Sequence, residues 1–234
     1  MKRRSMSAVI FLALAISSHA MAQTSLPTSV DWRTHGAVSA VRNVGQCDAT
    51  WAFAAVAAVE GVTAIHSGKL PSLSEQELID CTGVEGNHGC SGGSAEGALH
   101  WIARHGITSQ AQYPYTARDR QCRLGSPVAA RITGFQHVAT DMQSLMAAVA
   151  KQPVAVMIDG SGADFHQYGG GLYGCHSGTP NVWVTIVGYG VDSAKRAYWI
   201  VKGSWGTEWG EHGYMRMPRS ADCANIGTAL VPTM

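Results

Sequence analysis

The chain has 234 residues, a formal net charge of +1 and a charged fraction of 14%. This length accommodates one large domain or two small ones. A nearly neutral chain lacks the strongly basic surface that nucleic-acid binding or attachment to an acidic membrane requires. We therefore expect no nucleic-acid partner.

The N-terminal 22 residues have the three parts of a secretory signal peptide. The basic run Lys2–Arg4 precedes an apolar stretch from Met6 to Ile16, and Ala20–Ala22 supplies the small residues of a cleavage site. We predict cleavage after Ala22 and a secreted or periplasmic protein with no membrane span after signal removal. The alternative is a retained N-terminal anchor, although the apolar stretch is short for a bilayer.

Export makes disulfide bonds the default expectation for cysteine. The chain has an even number of cysteines, which fits three bridges with no free thiol: Cys47, Cys81, Cys90, Cys122, Cys175 and Cys223. Six cysteines allow fifteen pairings, and counting does not choose among them. None of the spacings is typical of a zinc site, and we expect no metal and no cofactor. The alternative is one or more free, buried cysteines.

Four segments predict helices. These are Thr50–Ser67, a short helix that begins at the capping box Ser74–Glu77, Ser94–His105 and Thr140–Lys151. The first is rich in alanine, valine and aromatic residues and has few charges, which favours a buried helix. Glycines at 68 and 106 follow the predicted ends of the first and third helices, where glycine is common.

Strands are predicted mainly in the second half of the chain. Short β-branched or aromatic runs bounded by Gly, Pro or Asp occur at Val154–Ile158, Val182–Tyr189, Tyr198–Lys202 and Tyr214–Met217. A helical half followed by a β half predicts an α+β fold with two lobes. The division is a signal peptide over 1–22, a mainly helical lobe over 23–134 and a β lobe over 135–234.

Eight short segments occur in the order found in the papain family of cysteine peptidases. They are Val30–Arg33, Gly36–Val38, Trp51–Phe53, Leu73–Leu78, Gly89–Gly93, Tyr113–Tyr115, Val187–Gly190, and Ser204–Gly206 with Trp209–Gly210. From about Leu26 to the C-terminus, the chain therefore resembles that family. The resemblance implies a papain-like fold: a helical lobe, a β-barrel lobe and a substrate groove between them, with an N-terminal strand that crosses to the other lobe.

The resemblance also implies a cysteine pairing and a set of catalytic positions. The implied bridges are Cys47–Cys90, Cys81–Cys122 and Cys175–Cys223, and each closes a loop worth about 4 kcal/mol in the chain-entropy model. Family members need a thiol nucleophile, a histidine base, an orienting asparagine and an oxyanion glutamine. The matching positions here are, in that order, Thr50, Val182, Gly203 and Val44.

None of the four replacements keeps the family's chemistry. A one-residue slip at the base position gives Asn181 or Trp183, and neither is a base. Loss of one principal triad member costs on the order of 10⁶ in rate in a serine peptidase. We therefore predict that no residue is catalytic and that the chain is an inactive family member, a pseudopeptidase, rather than an enzyme.

Thr50 and His166 have an alternative interpretation. A threonine at the start of a buried helix is a good N-cap, and we predict that role for Thr50. A rewired hydrolase would instead pair the Thr50 hydroxyl with His166, but this pair has no orienting residue. We expect His166 to be a solvated histidine on a loop near the groove.

Parts of the implied groove remain in this sequence. Gly92 and Gly93 match the glycines that pair with an extended peptide in the family, and Trp205 matches the tryptophan of the opposite wall. By the same resemblance, Trp183 and Met157 match positions that line the main specificity pocket of the family, and a tryptophan at 183 is expected to plug that pocket in part. The alternative is that the glycines and Trp205 are kept for folding alone.

Three functions follow from these expectations. The first is a secreted, non-catalytic module that binds a peptide or protein through the groove. The second is a structural or regulatory partner, or a decoy for peptidase inhibitors. The third is a hydrolase with rewired, threonine-based chemistry. The partner is an unknown protein or peptide in each of the first two.

Overall fold

The computed structural model describes residues 25–174, 178–220 and 226–234. The described residues contain five α-helices: α1 (Thr50–Ser67), α2 (Glu75–Cys81), α3 (Ala95–His105), α4 (Met142–Val149) and α5 (Ala163–His166). They also contain nine strands: β1 (Val30–Asp31), β2 (Ile107–Thr108), β3 (Val128–Ala130), β4 (Gly134–His137), β5 (Val154–Ile158), β6 (Val182–Val191), β7 (Ala197–Lys202), β8 (Tyr214–Pro218) and β9 (Ile226–Thr233).

The helices of the first half surround α1. This helix is buried over most of its length because nearly all its side chains are small or apolar, and Trp51 is only 1% exposed. Leu78 of α2 and Ile102 of α3 belong to the same buried cluster. Gly68 ends α1 with a φ of 71°, a left-handed conformation that glycine adopts without strain.

The second half is dominated by an antiparallel sheet with strand order β4-β9-β5-β6-β7-β8. Its own buried cluster includes Val156, Ile186, Trp199 and Met215. The strand β1 joins this sheet by pairing Val30 with Tyr189 of β6. The N-terminal segment therefore reaches the sheet before the chain enters α1.

One predicted helix is shorter in the structure, and two strands of the large sheet were not predicted. The helix predicted over Thr140–Lys151 is shorter, because Asp141 rather than Thr140 caps α4 and accepts a hydrogen bond from the Ser144 N–H. The sequence analysis did not predict β4 and β9. These two strands pair with each other from Gly134 opposite Thr233 to His137 opposite Leu230.

Two disulfide bonds lie in the described part of the chain. Cys47 is bonded to Cys90 and Cys81 to Cys122, which are the pairs that the family resemblance implies. The third implied pair, Cys175–Cys223, and the predicted signal peptide lie outside the described residues. Within the described ranges, no helix has both the length and the apolar character needed to cross a membrane.

Candidate active site

Thr50 lies where the helical part of the chain meets the sheet. It is the first residue of α1 and is only 7% exposed. Its hydroxyl oxygen accepts a hydrogen bond from the backbone N–H of Trp183 in β6, at 3.4 Å. The N-cap residue is Ala49, and no side chain caps the helix. The prediction that Thr50 caps α1 is therefore wrong, because its hydroxyl is directed to β6.

Val182, at the predicted base position, begins the same strand. It is half-buried, next to the residue that contacts Thr50. A Cβ atom added to Gly160 would lie 2.6 Å from Val182 Cγ1. Val182 thus packs closely against the backbone that follows β5, and its side chain offers no proton acceptor.

Gly203, at the predicted position of the orienting residue, directly follows β7. A Cβ atom here would lie 2.7 Å from Trp205 Cε3 and 2.8 Å from Trp209 Cζ3. The two indole rings are themselves 4.7 Å apart between centroids. The tryptophans occupy the space beside the glycine, so a larger residue at 203 would require them to move.

Val44, at the predicted oxyanion position, is held by its backbone. Its N–H donates to the Ser204 carbonyl at 2.7 Å, and its carbonyl accepts from the Tyr115 hydroxyl at 2.6 Å. The side chain is 4% exposed and belongs to the cluster around α1. The structure therefore links Val44 to the segment that contains Gly203, as it links Thr50 to the start of β6.

The two glycines predicted for the groove floor follow the 3-10 turn Gly89–Ser91. Gly92 has a φ of 107°, which favours glycine regardless of any ligand. A Cβ atom on Gly93 would lie 2.8 Å from Trp51 Cε2 and 2.6 Å from Asn87 Oδ1. The backbone conformation at Gly92 and the close packing at Gly93 thus give both glycines a folding role, and a peptide-binding role remains a prediction.

The aromatic residues predicted for the groove lie at different depths. Trp183 is 4% exposed and packs with the α1 cluster, and its register partner in β5 is the half-buried Met157. Trp205 is half-buried, and its ring centroid lies 5.2 Å from that of Phe165. His166 is exposed at the end of α5. The structure assigns no hydrogen bond between His166 and Thr50.

A buried group of charges, which the sequence analysis missed, lies close to these positions. The Arg42 guanidinium donates to Glu60 Oε1 at 2.9 Å and also pairs with Glu75. Lys202 Nζ donates to Ser39 Oγ at 2.9 Å. The one signal in the sequence was Glu60, a lone carboxylate in the otherwise apolar α1.

Burial shifts the protonation of two of these groups. Desolvation raises the pKa of the Glu75 carboxyl to about 7, against the opposing effect of Arg42. Burial also lowers the pKa of Lys202 to about 8. Arg42 and Glu75 belong to the helical part and Lys202 ends β7, so the charges connect the two parts of the fold.

A comparison with protein families identifies the chain. A model described as the papain family cysteine protease matches residues 26–233. The chain belongs to this family. The predicted papain-like α+β fold is confirmed by solved structures of cysteine proteases. The structure of bromelain from Ananas comosus is 42% identical, has a TM-score of 0.83, and aligns over 89% of this chain and 100% of its own.

Curated papain-family relatives are similar over most of the chain. It is 46% identical over 216 residues to a protein named vignain from Phaseolus vulgaris and 43% identical over 215 residues to fruit bromelain from Ananas comosus; each alignment covers 89% of the chain. It is 50% identical over 202 residues, 83% of the chain, to a rice protein named cysteine protease 1. The chain spans 59%, 60% and 41% of these proteins, respectively.

These relatives contradict the prediction that the chain is a pseudopeptidase and not an enzyme. Relatives at 43–50% identity are named as cysteine proteases or endopeptidases, or carry a protease's name. The residues at 44, 50, 182 and 203 are Val, Thr, Val and Gly, and their assignment to the family's catalytic positions stays a prediction. The prediction was wrong because it inferred the loss of all activity from the loss of one catalytic mechanism. The relatives named as proteases do not support that inference.

Proposed function

We propose that this chain is a hydrolase of the papain family that acts on polypeptides, with the Thr50 hydroxyl as its nucleophile. The observation that carries the proposal is the place of Thr50 at the start of α1, facing β6 across the junction of the two parts of the fold. The close relatives named as proteases support the reaction class.

The position of Thr50 at the start of α1 favours nucleophilic attack on a carbonyl group. A helix N-terminus carries a partial positive charge, which stabilises an oxyanion that forms beside it. In the proposed reaction, Thr50 Oγ bonds to the substrate's carbonyl carbon, the peptide C–N bond breaks, and the hydroxyl proton passes through water to the leaving amine. Water then hydrolyses the acyl-threonine ester.

The proposed rate is low. A threonine hydroxyl is far less acidic than a thiol and needs a base to become a good nucleophile. The hydrogen bond that the described residues make to the Thr50 hydroxyl comes from a backbone N–H, which removes no proton. We therefore expect turnover well below that of a thiol peptidase.

The proposal is tested with the oxidised chain from residue 23 and a library of internally quenched peptides. We expect slow, sequence-dependent cleavage that Thr50→Ser retains and Thr50→Ala abolishes. Thr63→Ala makes the same change elsewhere on α1 and should leave the rate unchanged. Cleavage that survives Thr50→Ala, or its absence from the unmodified chain, would contradict the proposal.

We also propose that the chain is exported and that its substrates are polypeptides outside the cytoplasm. The signal-peptide pattern of residues 1–22 and the two disulfide bonds support this location. N-terminal sequencing of the protein from its native source should begin at Gln23. A chain that retains Met1 would show that the segment is not removed.

A further inference from the structure

A small cavity lies between the helical part and the sheet, one turn further along α1 than Thr50. Its walls include Phe53 of α1, Glu75 of α2, Trp183 of β6 and Ser204 after β7, and its volume is about 20 Å³. A site needs roughly 10–15 Å³ of such space to hold one water molecule. The cavity therefore has room for a single small ligand.

Three residues that line this cavity each have a buried polar atom with no hydrogen-bond partner among the described residues. The atoms are Glu75 Oε2, Trp183 Nε1 and Ser204 Oγ. Glu75 is 2% exposed, and the other two residues are 4% exposed. Buried polar groups in native proteins are nearly always hydrogen-bonded, to protein or to ordered water. Three such residues around one cavity are the observation from which a shared ligand is inferred.

The hydrogen-bonding capacity of the three atoms limits which ligand can bind. The Trp183 indole N–H can only donate, the Glu75 carboxylate can only accept when it is ionised, and the Ser204 hydroxyl can do either. A metal cation cannot accept from the indole, and an anion would be repelled by the carboxylate. The surrounding formal charges, Arg42 and Lys202 against Glu60 and Glu75, balance.

We propose that this cavity binds one ordered water molecule, which accepts a hydrogen bond from Trp183 Nε1 and donates one to Glu75 Oε2. The Ser204 hydroxyl is its third partner, which gives the number of hydrogen bonds that a buried water usually makes. The water joins α2 to β6 and to the segment after β7. It thereby holds the indole of the residue whose backbone N–H contacts Thr50. The site does not depend on hydrolytic activity.

A crystal structure of the oxidised chain at a resolution that shows ordered waters tests the site directly. We expect one water within hydrogen-bond distance of all three atoms. Absence of a water at this position, occupation by a metal ion, or direct hydrogen bonds of Glu75 Oε2 to Trp183 or Ser204 would overturn the proposal.

A thermal-unfolding cycle tests the site in solution. Trp183→Phe removes the indole donor and Ser204→Ala the hydroxyl. If both bind the same water, the double variant should lower Tm by less than the sum of the single shifts. Trp101 is the control, because its buried Nε1 also lacks a partner among the described residues but does not line the cavity. Trp101→Phe and Ser204→Ala should be additive. Additive shifts in both pairs would contradict a shared water.

Discussion

At the scale of single residues, Gly203 is packed closely against two tryptophans. The sequence identified the position as one where the family has an orienting residue, but it did not show that Trp205 and Trp209 close the space beside it. Those contacts come from residues two and six positions later, after the chain has turned. Sequence reasoning could therefore find the position but not its packing.

Gly203→Asn, which restores the family's residue type, should destabilise the chain. The added side chain enters space held by two indole rings, and overpacking of this kind costs about 1–3 kcal/mol. Chemical denaturation measures the change in the free energy of unfolding. The control is Gly83→Asn, since nothing lies within 4 Å of a Cβ atom at Gly83. Equal stability of the two variants would contradict the packing described here.

At the scale of elements, the sequence correctly predicted the helix ends that depend on neighbouring residues alone. The bounds of α1 agree with the prediction, and Ser74 caps α2 by accepting from the Glu77 N–H as the capping box implies. The strand β9 was missed because its run contains Gly227 and Pro232 and its partners are distant in sequence. The burial of Glu75 in α2 was also not predicted, because the polar and charged residues around it are typical of an exposed helix start.

The charge of Glu75 should make stability depend on pH. Its pKa is raised from 4.5 to about 7 in the folded chain, so the folded state binds the proton more tightly than the unfolded state does. This stabilising contribution is complete below pH 4.5 and is lost as pH rises through about 7. The loss is on the order of 1–3 kcal/mol.

Glu75→Gln removes this titration, so its free energy of unfolding should fall less than that of the unmodified chain between pH 4.5 and 7. Denaturation curves measured at several pH values test the difference. Glu208→Gln changes an exposed carboxylate and should retain the full pH dependence. A Glu75→Gln chain with the same slope as the unmodified chain would show that Glu75 does not titrate in this window.

At the scale of the whole molecule, the family resemblance predicted the papain-like arrangement that residue patterns alone left coarse. The residue patterns predicted a helical half and a β half. The eight family segments then predicted how the two halves are arranged. The contacts that connect the halves were not predicted from patterns. They include the pairing of β1 with β6, the bond from Trp32 Nε1 to the Val149 carbonyl and the buried charges around Arg42.

The Cys81–Cys122 bond closes a long loop and should contribute substantially to stability. Its sequence separation is 41 residues, and the chain-entropy model assigns such a loop about 4 kcal/mol. The Cys81→Ala/Cys122→Ala double variant should therefore lose about that much free energy of unfolding in oxidising buffer. A loss below about 1 kcal/mol would show that the bond constrains the unfolded chain little.

Intact-mass spectrometry after incubation with a peptidyl active ester tests most directly whether Thr50 is a nucleophile. An activated ester acylates a hydroxyl more readily than a peptide does, so the covalent intermediate should accumulate. We predict one added acyl group, located by peptide mapping on the segment that contains Thr50 and absent from Thr50→Ala. Hydrolysis of the ester with no acyl group on Thr50, or the same acylation in Thr50→Ala, would contradict the proposed mechanism.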